Sequence, residues 1–363
     1  MSHRVPVTWL REHASVPIRL RTLTEILPAE AADQDEVAAL RTELLTYKGV
    51  TQVERKQRGT GIWASNILGI GPSKSLGIND VGTVAQYRRL LELGVPTTGR
   101  ALQFTSRVFF RLLSRDDDPK LLFEYQKAAK TNPDLVAWAR GAMHEAATAA
   151  LAQGGLVEDP RVRGAAKRVA NALSDFLTSA ADKPIVKKGT KNILNPEAHA
   201  PTLYSVALIA YMPALQRERA GFIEHLQQFL AKPAPKKPYV VMVGKKSYKP
   251  TTQILGDPLQ NDSAGRPRDL PFALHWMELL ARMNGLGESP SAQRALTRLL
   301  KDCNDHGVWN AKGLRSFPKS PSGLAGFCFP LEVSDKSAEA RRADVTFRLA
   351  HLAKLAGLEL EFV

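Results

Sequence analysis

Cysteine is nearly missing from this 363-residue sequence: only Cys303 and Cys328 occur. Two thiols build neither a disulfide framework nor a thiolate zinc cluster, so stability must come from a packed core, and a reduced intracellular setting is expected. No apolar run reaches the roughly 18 to 20 residues that a bilayer span needs. The opening MSHRVPVTWLREH has no apolar stretch of the secretory kind. A cytoplasmic protein without a membrane span is the expectation. Aromatic residues make up only 7%. Acidic residues are outnumbered, 36 against 50 Lys and Arg, for a formal net charge of +14. That balance favours an acidic partner such as nucleic acid, with solubility alone as the bland alternative.

What the chain does have is helical periodicity. Val162, Ala165, Ala166, Val169, Leu173, Phe176 and Leu177 fall on one face after the starter Asp159-Pro160. Four stretches repeat a helix, a Gly or Pro break and a Leu-rich helix: Thr83–Leu113, Pro201–Leu230, Pro271–Leu300 and, truncated, Ala343–Val363. A period of roughly 40 to 60 residues implies stacked helical pairs. Two stretches, Val53–Trp63 and Thr297–Trp309, end in Gly-x-Trp, which reads as structural punctuation between helices. The expected fold is all-α: stacked helical hairpins, as an α/α toroid or a helical solenoid, with a short β-hairpin insertion near 239–254. Residues 1–28 read as an N-terminal arm, and 29–363 as one helical-repeat domain with a basic insertion at about 232–269.

Lysine is concentrated in two places. Residues 183–196, KPIVKKGTKNILNP, carry four lysines and no acid, and read as an exposed linker. Residues 232–250, KPAPKKPYVVMVGKKSYKP, carry six lysines, no acid and two tyrosines, with the best strand candidate of the chain at Tyr239–Val243. A Gly244-Lys245 turn would fold this run into a hairpin. Lysines interleaved with tyrosines suit phosphates plus base stacking. The candidate nucleic-acid-binding residues are therefore Lys187, Lys188, Lys191, Lys236, Lys237, Tyr239, Lys245, Lys246, Tyr248 and Lys249.

Other constellations are incomplete. Gly69, Gly71 and Lys74 lack the spacing of a phosphate-binding loop and the strand that should precede it. Asp116, Asp117 and Asp118 before Pro119 read first as a turn and helix cap, and second as a cation site. Cys303 and His306 stand three apart in a turn, a pair that could ligate a metal or form a nucleophilic couple, with no matching second pair. No catalytic residue, metal or cofactor is assigned.

Two resemblances follow from these residues. EDPRVRGAAKRVANAL, residues 158–173, resembles the second half of a HEAT-type repeat. The repeated helices with Gly61-Ile62-Trp63 and Gly307-Val308-Trp309 resemble the α/α toroid of the squalene-cyclase and protein-prenyltransferase superfamily. That resemblance implies a barrel of helical pairs around a cavity. The chemistry does not carry over: Arg115-Asp116-Asp117-Asp118 departs from the cyclase Asp-x-Asp-Asp acid, and Lys301-Asp302-Cys303 lacks the prenyltransferase zinc spacing. The leading expectation is a non-catalytic helical-repeat protein that contacts a polyanion, most simply nucleic acid, through its lysine loops, a protein partner being the other class. The alternative is a toroid-type enzyme acting on a substrate in a central cavity.

Overall fold

The computed structural model describes residues 2–69, 81–115, 118–197, 199–311, 314–320 and 328–363. The chain is all-α with short strand pairs: fifteen α-helices lie among the described residues, and six strands form three two-stranded ladders. It divides into two compact units. Unit 1 comprises residues 1–55, 89–96 and 259–363, and unit 2 comprises 56–88 and 97–258.

In unit 1 the helices Leu270–Arg282 and Ala338–Leu355 pack together. Strand β1, Ser2–Val5, pairs in parallel with β6, Glu359–Phe362, so His3 stands opposite Leu360 across almost the whole sequence. No local pattern announces such a pair. The opening segment contributes Val5, Leu10, Ile18, Leu20, Leu23 and Ile26 to the core, each at most 4% exposed.

Unit 2 is built around the helix Pro133–Gln153. It starts where Asn132 accepts the Leu135 N–H and Pro133 occupies the first turn, and it stops at Gly154 and Gly155, the latter with φ of 78°. Residues 145–152 of it are all buried, and five of these eight are alanine. Small side chains let three further helices, Arg100–Ser114, Pro160–Ser179 and Leu203–Ala210, approach it at once. Val162, Ala165, Ala166, Leu173 and Phe176 of the expected stripe are buried there.

The two Gly-x-Trp turns share one construction. Each closes an isolated antiparallel bridge, Gln57 with Trp63 and Cys303 with Trp309. Arg58 N–H donates to Ile62 O and Asn304 N–H to Val308 O, both at 2.9 Å. A threonine hydroxyl accepts the backbone N–H of each tryptophan at 3.1 Å, Thr83 for Trp63 and Thr346 for Trp309. Eleven residues after its threonine, each helix ends on a glycine in the left-handed region, Gly94 and Gly357. Glycine is required inside the turns as well: Gly61 (φ 85°) and Gly307 (φ 81°) face the backbone oxygens of Phe104 and Arg4, where a Cβ would collide.

Candidate functional site

The lysine-rich segments fold into two hairpins in unit 2. Residues 183–196, expected as a linker, instead form β2, Ile185–Lys188, and β3, Lys191–Leu194, joined antiparallel through Gly189 with φ of 60°. Ile193 and Leu194 are buried, which gives the hairpin an apolar anchor that its lysine count conceals. The second run forms β4, Val241–Val243, and β5, Lys246–Tyr248, around Gly244, also at φ of 60°. This matches the expected hairpin, with its first strand two residues later than read from sequence.

The hairpins are tied edge to edge. Leu194 N–H donates to Val240 O at 2.8 Å, and Val240 N–H to Asn192 O at 3.1 Å. The Asn192 side-chain amide donates to Pro238 O at 3.2 Å, and Lys191 Nζ lies 3.4 Å from Ser247 Oγ. Lys187 and Lys188 of β2, Lys191 of β3, Lys245 and Lys246 at the second turn, and Lys249 are all exposed, as are Lys236 and Lys237 just before Pro238. None of these eight forms an ion pair among the described residues. Tyr239 and Tyr248 are half-buried, and burial pushes the Tyr239 phenol up to about 12.

β3 and β4 also wall a cavity of about 280 Å³. Its polar floor is a group that sequence reasoning missed. Glu145, 5% exposed, projects from the alanine-rich helix and accepts the Thr202 hydroxyl at 2.7 Å. His199 Nε2 lies 3.4 Å from the other carboxylate oxygen. The hydrogen bond to Glu145 raises the His199 pKa, burial opposes it, and the carboxylate charge adds to the rise. The one signal in the sequence was an acid inside Met143–Leu151, a run of small and apolar side chains where a carboxylate needs a partner.

A second cluster of charge lies in unit 1. Arg21 grips both carboxylate oxygens of Glu25 at 2.7 Å and donates to Glu92 O at 2.9 Å. Arg348 reaches Asp344 at 3.1 Å and Glu92 at 3.3 Å, and Arg282 reaches Glu278 at 2.8 Å. Burial resists ionisation of Glu25, but the Arg21 guanidinium outweighs it and holds the pKa below the usual range. Glu278 is likewise lowered, against its burial, by Arg282 and its neighbours. Burial drives His351, beside Glu25, down to about 4. Each cation here is matched by an anion, which makes the cluster a structural network.

The remaining candidates separate. Asp118 accepts the Lys120 N–H as a helix cap and pairs with Arg111 at 3.2 Å; Asp116 and Asp117 lie outside the described residues, as do Gly71 and Lys74. Burial pushes the Cys303 thiol up to about 12, so it is protonated at neutral pH and not a ready nucleophile. Its Sγ donates to Leu299 O at 3.6 Å, while His306 is exposed. Among the described residues no group of three or more His, Cys, Asp or Glu could hold a metal ion, and no helix is long and apolar enough to cross a membrane. No protein-family model, curated protein or solved structure matches the chain.

Proposed function

We propose that this protein binds nucleic acid, with the paired lysine hairpins of unit 2 as its contact surface. The observation that carries the reading is the tie at Val240: two lysine runs about 45 residues apart in sequence present their ammonium groups on adjoining hairpins. A solvated loop has no need to join another loop of like charge, since the arrangement brings cations together against their repulsion. A polyanion relieves that repulsion and releases its own counterions on binding. Tyr239 and Tyr248 on the same hairpin supply aromatic faces.

The test is fluorescence anisotropy of a labelled oligonucleotide at two salt concentrations. Four phosphate contacts to a single strand predict roughly 50-fold weaker binding at about 200 mM than at about 50 mM salt. Replacing Lys187, Lys188, Lys245 and Lys246 together by alanine should weaken binding and clearly reduce the salt dependence, four of the eight exposed lysines remaining. Salt-independent binding, or none, refutes the reading; tighter binding of polyglutamate than of oligonucleotide assigns the surface to an acidic protein. The runner-up, an enzyme of α/α-toroid type, draws support from the helical pairs and the Gly-x-Trp turns alone.

A further inference from the structure

The cavity beside the hairpins combines features that a lysine surface alone does not need. Leu194 of β3 and Val241 and Met242 of β4 line it, so the two hairpins whose turns and outer strands hold most of the lysines also form its wall. Trp138 supplies an aromatic side, and its indole is fixed by an edge contact to Tyr125 with ring centroids 5.9 Å apart. Glu145 and His199 supply hydrogen-bonding groups at the floor. We propose that this cavity receives one nucleobase of a single-stranded nucleic acid whose phosphates lie on the lysine hairpins, an inference that rests on the binding reading above.

Three considerations select a base over other occupants. The buried Glu145 carboxylate repels phosphate, so the backbone stays outside on the lysines and an uncharged group enters. The volume of about 280 Å³ sits just below the roughly 300 Å³ at which pockets for drug-sized ligands begin, which suits one ring system. A base stacks on a preset indole and offers donors and acceptors on its edge, which the carboxylate and imidazole can meet.

The experiment compares a mixed-sequence single strand with a strand of equal length built from abasic sugar-phosphate units, both titrated against the unmodified full-length protein at one salt concentration. Stacking and edge contacts predict that the base-bearing strand binds roughly 5- to 150-fold more tightly. Trp138→Ala should lower that ratio by at least about 5-fold, the remainder coming from Tyr239 and Tyr248, while leaving the salt dependence of both strands intact; Trp138→Phe should keep most of it, and an unchanged ratio in Trp138→Ala overturns the cavity proposal. Equal affinity for the two strands with steep salt dependence sinks the cavity proposal and leaves the lysine surface standing. Duplex bound as tightly as single strand also overturns it. Binding of neither strand sinks both readings together.

Discussion

In unit 1, Arg348 lies within 3.3 Å of both Asp344 and Glu92, all three side chains at most 14% exposed. In unit 2, eight lysines between 187 and 249 are exposed and carry no ion pair among the described residues. The same charge type therefore serves two ends. Arginine, with a planar fork that matches a carboxylate, is used where charges are buried against one another. Lysine, a mobile and well-hydrated point charge, is used where the charge faces water. Stability should respond to the first group and ligand affinity to the second.

The largest effect on that contrast should come from Arg348→Leu. It removes the guanidinium that Asp344 pairs with and one of the cations beside Glu92, and breaking a buried pair costs about 3–5 kcal/mol; urea denaturation followed by circular dichroism measures it. If the loss is under about 1 kcal/mol, the network is not the structural element described. Gly307→Ala should follow, destabilising by at least about 2 kcal/mol, because it adds left-handed strain to a collision with Arg4 O. Gly61→Ala should behave alike, and a tolerated substitution at either position would break the equivalence of the two turns.

Titration sharpens the contrast next. His351 has a folded pKa of about 4, below the ordinary 6.5, so the unfolded chain takes up its proton first. Its contribution is intact above pH 6.5 and is lost as pH falls toward 4, by up to about 3 kcal/mol. Glu332 runs the other way. Burial raises it to about 7, so its contribution is fully present below pH 4.5 and is lost as pH rises through 7. The two partly cancel between pH 4.5 and 6.5. Glu332→Gln should raise stability at pH 8 by about 1–3 kcal/mol, with the gain gone at pH 4; a gain that does not change with pH would refute the assignment. The smallest effect belongs to unit 2: alanine at Lys187, Lys188, Lys245 and Lys246 should each change stability by less than about 0.5 kcal/mol.

Much of the helical skeleton was legible because its cause is local. The stripe from Val162 to Phe176 and the Asp159-Pro160 start lie within one segment, and periodicity reports them. The Gly-x-Trp turns were legible as punctuation, although the reason for each glycine, a backbone oxygen from Phe104 or Arg4, is remote. The β2–β3 hairpin escaped notice because its neighbour at Val240 is encoded elsewhere, and because four lysines mask Ile193 and Leu194. Glu145 and His199 are 54 residues apart, on a helix and in a connecting segment, and only the packing of unit 2 brings them together.

The backbone tie at Val240 has a consequence for avidity. Because the hairpins share hydrogen bonds, under the proposed binding reading a strand that touched Lys187 or Lys188 would find the ammonium groups of the second hairpin close by and at a high effective concentration. Each later contact is then intramolecular, and little orientational freedom remains to be lost. Slackening that tie, with every lysine in place, would turn one multivalent surface into two weak ones.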